Sequence, residues 1–345
     1  MTLEASTLAI AGIILAAVLD RSLGDPASWL HPVMVMGGGI QQMRLRAETW
    51  AMNSPLKLSF AGFVITVTLV LTSACSGWLL EQLVLGHWLG SHGWINSIAA
   101  VLWVLGLASA LAGKSLEDGV RRVLQELPSE ATLEPIKARQ HLSWIVGRDT
   151  TELSVDEILR ATAETASENA VDGLFAPLFW MLVGAGLWSA GLSNAPGPLA
   201  LAWAFKAAST LDSMLGYRKG RLRWLGTAGA RLDDLLTWIP CRIVMLTLPL
   251  ISQPLWRWSS LVQAAERDGK SDPSPNAGRS EAIYAHCAEV QLGGRNRYGR
   301  RWVDKPLLGK GFKAPDARSV NTILNLSRKL EWLWLLVAIA GILRI

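Results

Sequence analysis

The sequence predicts an all-α, polytopic integral membrane protein with broken or re-entrant helices and cytoplasmic helical loops. Composition is the first observation: half of the 345 residues are hydrophobic and 18% are charged, against about 25% in soluble domains. Mean hydropathy is +0.28. Seventeen Trp against three Tyr suits rings resting at a bilayer interface. Apolar runs recur along the whole chain, and no stretch alternates convincingly with the two-residue period of a strand.

The apolar runs are Leu8–Leu19, Leu58–Leu80, Trp94–Ala112, Leu174–Leu192, Leu199–Phe205, Leu235–Ile251 and Trp332–Ile345. The second and third are long enough to cross a hydrocarbon core of about 30 Å, which takes about 20 helical residues. The first and last are short and could tilt or lie in the bilayer. Pro177, Gly184 and Gly186 interrupt the fourth, which pairs with the fifth as a hairpin turning at Asn194–Pro198. Pro240, Arg242 and Pro249 make the sixth read as a re-entrant helix that dips in and returns. Between the spans, residues 116–172 read as helix broken at Pro128 and Pro135. A single membrane-embedded domain, 1–345, is expected, with cytoplasmic loops at 20–57, 113–173, 206–234 and 252–331.

Orientation follows from Lys and Arg. Gly86–Gly93 has none, whereas Lys206–Arg231 holds six and Arg257–Lys329 fourteen, so the latter two belong in the cytoplasm. The net charge of +5 reflects that bias and needs no nucleic-acid partner. Cys75, Cys241 and Cys287 are scattered, without metal or disulfide spacing. Glu4, and no basic residue, precedes the first apolar run; a cleaved signal peptide is not expected.

Three polar strings stand out against this background, because acids beside apolar runs are costly near lipid. In the first, Arg148 and Asp149 precede Asp156, Arg160, Glu164, Glu168 and Asp172, spaced by four so that neighbours share a helical face. Arg160 could neutralise Asp156 or Glu164. Glu164, Glu168 and Asp172, with Asn169 beside them, would suit Mg²⁺ with nucleotide phosphates completing its shell; a solvated, salt-bridged helix is the alternative. In the second string, Lys206, Asp212, Tyr217, Arg231, Asp233 and Asp234 could supply a metal site or a base, or simply anchor the chain through Arg231 and Arg242. In the third, Ser274, Asn276 and Gly278 precede a helix and offer an N-cap with free backbone N–H groups for an anion. Gly293, Gly294, Arg295, Arg297, Arg300 and Arg301 follow as a flexible basic loop for phosphate or lipid headgroups. His31, near Asp20 and Asp25, is functional or structural with equal weight. Ala108–Ser115 fits a permissive Walker A pattern, but no strand precedes it.

In their order, these strings resemble the adenosylcobinamide-phosphate synthase family, CbiB/CobD, of cobalamin biosynthesis. The matching residues are Leu19, Asp20, Gly24, Asp25, Pro26, His31–Val33, Met36, Gly37, Val146–Thr150, Glu168, Asn169, Asp172, Gly173, Ala176–Leu178, Thr210–Tyr217, Ala230–Asp234, Pro240, Arg242, Ser274–Gly278 and Leu292–Gly294. They span roughly residues 8–310; Ala112–Ser115 is more glycine-rich than the family pattern.

The resemblance implies an inner-membrane ligase, its active site facing the cytoplasm, that uses ATP and Mg²⁺ to join adenosylcobyric acid to aminopropanol phosphate through an amide. Glu164, Glu168 and Asp172 would hold the metal, and Asp233 or Asp234 would take the proton of the attacking amine. Arg148 and Lys206 would neutralise charge developing in phosphoryl transfer. Asp149, Asn169, Asp212, Tyr217, Arg231, Ser274, Asn276, Gly278, Gly293, Gly294, Arg295 and His31 would bind the ligands. Membrane lipids are partners, and a homo-oligomer or a complex with other membrane enzymes of the pathway is open. Two other classes compete. An AmpE-like membrane sensor would keep fewer of these strings. A Mg²⁺-dependent prenyl or phosphatidyl transferase would want two DxxD-like repeats, which Asp212, Asp233 and Asp234 do not form.

Overall fold

The computed structural model describes residues 2–24, 31–86, 93–128, 133–298 and 301–342. Asp25, Pro26, Trp29 and Arg300 lie outside the described residues, as does most of the Gly86–Gly93 loop; so do the side chains of Arg297 and Arg301. The helices are α1 Thr2–Leu23, α2 Pro32–Ala51, α3 Pro55–Val84, α4 Gly93–Ala108, α5 Gly113–Gln125, α6 Ile136–Ser143 and α7 Val155–Ala170. A π-turn, Val171–Phe175, leads into α8 Ala176–Ser189. There follow α9 Pro198–Leu215, α10 Leu222–Leu225, α11 Thr227–Ser252, α12 Trp258–Gly269, α13 Ala277–Ala288 and, after a hairpin of β1 Leu292–Tyr298 and β2 Arg301–Leu308, α14 Ala317–Ile342. Among the described residues, five stretches are long and apolar enough to cross a membrane: Glu4–Leu23, Pro55–Val84, Trp94–Gln125, Val155–Ser189 and Thr227–Ser252. The protein is an all-α integral membrane protein.

Two sequence expectations need correction. The segment from Leu235 is no dip: α11 is one unbroken helix of 26 residues, about 39 Å at 1.5 Å per residue. Pro240 and Pro249 remove hydrogen bonds without breaking it, as intramembrane helices tolerate. The stretch read as a flexible basic loop is an antiparallel hairpin; its glycines and arginines hid a strand that lacks an apolar alternation. The expected pairing of Leu174–Leu192 with Leu199–Phe205 is found as the packed pair α8 and α9.

The chain divides into two compact units. The first comprises Met1–Ala112, Ala176–Thr237 and Leu335–Ile345. Within it α3 packs on α2, α4, α9 and α10, and α1 on α4 and α8. On α3 the large residues Phe60, Phe63 and Leu71 are exposed while Ala61, Gly62, Ser73 and Gly77 are buried. Lipid is as apolar as a core, so helices in it associate through close backbone approach, which small residues permit. A Cβ at Gly77 would meet the backbone of Ala200.

Glu81 anchors the same contact. Fully buried on α3, its carboxylate accepts the N–H groups of Gly197 (2.8 Å), Leu199 (2.6 Å) and Ala200 (3.3 Å) at the start of α9. Those donors have no partner inside their own helix, and a negative charge there complements the helix dipole. Glu81→Ala is expected to lower stability by about 3 kcal/mol, since buried donors left unpaired cost about 1–3 kcal/mol. Equilibrium unfolding in mixed micelles checks this; a loss below about 1 kcal/mol would contradict the anchoring role.

The second unit comprises Gly113–Phe175 and Trp238–Trp334. Val123, Ala138, Leu142, Leu153, Ile158 and Ala161 join α5, α6 and α7 in one core. A capping box starts α7: the Ser154 N–H donates to Glu157 Oε2 (2.9 Å) and the Glu157 N–H to Ser154 Oγ (3.3 Å), which satisfies two end groups reciprocally. The α7 face also packs on α13 and β1.

Candidate functional site

In the second unit the α7 acids meet the hairpin. Gly293 stands opposite a bulge in β2, facing both Pro306 and Leu307 between the pairs Leu292–Leu308 and Gly294–Lys305, with φ +78°, a conformation glycine adopts without strain. A Cβ there would run into the Pro306 carbonyl. The bulge leaves both backbone groups of Gly293 for side chains of α7. Its N–H donates to Glu164 Oε1 (2.9 Å), and its carbonyl accepts from Arg160 Nη1 (2.6 Å). Arg160 Nη2 reaches the Arg295 carbonyl (2.8 Å). Arg160 therefore secures the hairpin rather than neutralising a neighbouring acid. A buried ion pair joins Arg148 to Glu164, and Arg148 Nη1 also donates to Asn296 Oδ1 (2.7 Å).

Glu168 lies within electrostatic reach of Lys305, Asp272, Arg148 and Glu164. Lys305 bonds Glu281 Oε1 at 3.1 Å and stands 3.9 Å from Asp272. Glu281 is 1% exposed, and its Oε2 is buried without a hydrogen-bond partner, as is Nδ2 of Asn296. Burial, with Glu168 and Glu164 adding repulsion against the pull of Lys305, pushes the Glu281 carboxyl up to about 8. Burial pulls the Lys305 pKa down, but the carboxylates of Glu281, Glu168, Asp272 and Glu164 outweigh it and hold the ammonium well above its usual range. The cluster is thus four buried or half-buried acids against two cations.

Sequence reasoning missed Glu281, Lys305, Asp272 and Asn296. The available signal was Glu281 itself, a carboxylate set in the small and apolar stretch Ala277–Ala288.

The expected three-carboxylate metal site does not assemble. Both oxygens of Glu164 are engaged by Arg148 and the Gly293 N–H, and among the described residues no three His, Cys, Asp or Glu are placed to hold an ion. The other two are Glu168 and the half-buried Asp172 on the π-turn, which makes an interaction of its own. Two carboxylates are what Mg²⁺ ordinarily takes from a protein when phosphates complete its shell, so the residues fit a nucleotide-borne ion and not a protein-caged one.

Other predicted residues serve local structure. Asp149 Oδ1 accepts from the Thr151 N–H (3.1 Å) and hydroxyl (2.7 Å). Asn169 Nδ2 donates to Thr165 Oγ1 (3.0 Å). The third string is not an open anion site: Ser274 Oγ accepts the N–H groups of Asn276 (3.3 Å) and Ala277 (3.2 Å), and Asn276 Oδ1 accepts from Arg242 (2.6 Å). Gly278 lets α13 approach Asp272 and Gly269. Gly294 pairs with Lys305 across the hairpin, and Arg295 lies 3.9 Å from Asp304 on its exposed side.

The second string belongs to the first unit. Asp212 and Lys206 lie within electrostatic reach of Asp233, whose Oδ1 is buried without a hydrogen bond. Tyr217, Arg231 and Asp234 line one cavity of about 340 Å³, which Arg218 and Arg223 also line. Elsewhere in this unit His31 caps α2, its Nδ1 accepting from the Val33 N–H at 3.3 Å. With Asp20, His31 lines an apolar cavity of about 400 Å³ that includes Leu105, Ser109 and Trp203. Ala108–Ser115 forms the turn between α4 and α5, with Lys114 Nζ 2.6 Å from Asp118; no strand precedes it among the described residues.

A family profile described as CobD/Cbib protein matches residues 13–327. A cobalamin biosynthesis protein CobD of Synechocystis is 40% identical over 343 residues, covering 97% of this chain and 93% of its own. A cobalamin biosynthesis protein CobD of Streptococcus sanguinis is 35% identical over 92% of this chain and 93% of its own. A cobalamin biosynthesis protein CbiB of Salmonella arizonae is 35% identical, with coverage of 93% and 91%. No solved structure matches the chain. Such similarity along nearly the whole length leaves one assignment: the chain belongs to the CobD/CbiB family.

Proposed function

We propose that the chain acts in cobalamin biosynthesis as an ATP-dependent ligase, joining a propionate of adenosylcobyric acid to aminopropanol phosphate through an amide. Family membership over almost the full length carries the reading, since the curated relatives are named for that pathway. A carboxylate and an amine do not condense unaided; the carboxylate must first be activated, and phosphoryl transfer from ATP is the simplest means. Mg²⁺ bound with the nucleotide would withdraw charge from the transferring phosphate.

This chain's own residues would do the rest. Glu168 and Asp172 would orient the nucleotide phosphates through the ion. Lys305, kept cationic by its carboxylates, and Arg148 would offset charge around the transferred group. The amine must lose a proton before its lone pair can attack the activated carbonyl. Phosphate then leaves, and the amide remains. By homology of context, the setting is the bacterial cytoplasmic membrane with the chemistry at its inner face.

Purified protein in nanodiscs, given adenosylcobyric acid, ATP, Mg²⁺ and aminopropanol phosphate, is expected to form a product whose mass equals the two substrates less water. ATP hydrolysis indifferent to the corrinoid would overturn the ligase reading. The same assay with each reactant omitted in turn separates it from a sensor, which would bind without turnover.

A further inference from the structure

In the first unit one helix carries a polar face at a depth where water is scarce. The short turn at 52–54 joins α2 to α3, and the two pack against each other, antiparallel as helices joined by so few residues are. Met36, Ile40, Ala47 and Ala51 of α2 share a core with Leu58, Ala61, Ile65 and Leu69 of α3, and a Cβ at Gly39 would touch Leu69. Leu69 lies about 21 Å along α3 from Pro55 at 1.5 Å per residue. Around that depth α3 exposes Phe63, Val64, Val67 and Leu71, the surface of a helix in hydrocarbon. Residues 32–43 of α2 therefore run within the apolar layer. They include no charged residue; Arg44, Arg46 and Glu48 are confined to the end nearest the turn.

Away from its core face, α2 exposes Met34, Gly38, Gln41, Gln42 and Leu45. Among the described residues neither glutamine amide has a hydrogen-bond partner, and an unpaired amide facing hydrocarbon is costly. Gly38 has no packing reason within the chain: nothing lies within 4 Å of the Cβ it lacks, although glycine inside a helix weakens it. Met34, Gly38, Gln41 and Leu45 follow one another at spacings of four, three and four, the seam of two helices wound side by side. A small residue in such a seam lets two backbones approach, and a polar one hydrogen-bonds across it. The seam stops after Leu45, where Glu48 is bonded to Arg44 at 2.8 Å.

We propose that this face of α2 is where two copies of the chain meet in the membrane, Gly38 against the Gly38 of the copy and the Gln41 amides bonded to each other. The occupant follows from symmetry. A two-fold axis relating membrane subunits runs along the bilayer normal, so α2 meets its copy parallel and at equal depth, each residue facing itself. A primary amide suits that arrangement because it carries donor and acceptor together. Met34 and Leu45 likewise match themselves, and no residue of the seam bears a charge that its copy would repel. A foreign helix would need a polar group of its own at the same level; a second copy always has one. Association needs neither nucleotide nor corrinoid, so the contact stands apart from the ligase reading.

Disulfide trapping of the full-length protein in native membranes tests this. Cys75 is exposed while Cys241 and Cys287 are buried, so Cys75→Ser supplies the background. Gly38→Cys and Leu45→Cys are expected to give a dimer under mild oxidation. Val67→Cys and Leu71→Cys, on the exposed side of α3, are expected to stay monomeric. Energy transfer between labelled copies in liposomes of graded lipid content then measures the contact. The double variant Gln41→Leu with Gln42→Leu is expected to show a dissociation constant about tenfold weaker, the size of a lost hydrogen bond between helices in lipid. Melting curves verify that each variant is folded, and Leu45→Cys tests the contact with both amides intact. Wild-type protein that stays single at every lipid dilution would overturn the proposal, as would trapping that is equal on α2 and α3. Trapping of Gly38→Cys to a polypeptide of another mass would give the face to a different partner and overturn it too. So would rapid labelling of Gln41→Cys by a membrane-impermeant maleimide, because water, and not a helix, would then cover the amide.

Discussion

Replacing Arg148 with Met is expected to destabilise the second unit by about 3–5 kcal/mol, the usual cost of leaving a buried charge without its partner. Glu164 is 1% exposed and the Arg148 side chain 9% exposed, so water cannot readily replace the lost guanidinium. Gly293 would still donate its N–H, but one neutral donor does not offset a full buried charge. Asn296 would lose its bond from Arg148 as well, loosening the hairpin where the bulge meets α7. The double variant Arg148→Met with Glu164→Gln should recover much of the loss, because both charges are then gone. Chemical unfolding of the two variants in the same micelles checks this. Recovery by less than about 1 kcal/mol would mean that Arg148 acts through packing and not through Glu164.

The second large effect concerns pH. Glu281 keeps its proton in the folded protein up to about 8, against an ordinary value of 4.5. Between those values the folded state binds more protons than the unfolded one, so stability falls as pH rises. The contribution of Glu281 is fully present below pH about 4.5 and is lost as pH passes about 8. Glu281→Gln is therefore expected to flatten the wild-type decline in melting temperature between pH 5.5 and 8.5, and to melt higher than wild type at the alkaline end. Lys305→Met should move the other way. It removes the cation that draws the Glu281 proton off, leaves Asp272 without the ammonium 3.9 Å away, and lowers stability at every pH above 6. Thermal melts of the three proteins across that range decide the matter. Parallel profiles for wild type and Glu281→Gln would show that Glu281 does not titrate there. The catalytic corollary is that Lys305→Met should reduce turnover more than it changes substrate affinity.

Much of the fold could be read in advance because its signals are local. Apolar runs located α1, α3, α4, α8 and α11, and the turn at Asn194–Pro198 between paired helices followed from Pro and Gly. The proline-based break in α11 failed for a physical reason: backbone groups freed by Pro240 and Pro249 can be satisfied by neighbours, which sequence spacing does not reveal. The hairpin was missed because its polar, glycine-bearing strands lack the alternation that marks a half-buried sheet. Spacing by four put Glu164, Glu168 and Asp172 on one side of a helix, but it could not say which of them Arg148 and the Gly293 N–H would occupy.

Local chemistry alone therefore determined that this is a helical membrane protein with three polar strings, and resemblance across those strings pointed to its family. Tertiary structure decided the partners: Glu281 and Lys305 become a buried pair, Glu164 becomes an anchor for a bulge, and Tyr217, Arg218, Arg223, Arg231 and Asp234 line one cavity. Such pairings join residues far apart in the chain, and burial sets their energies, so neither is written in the order of the residues.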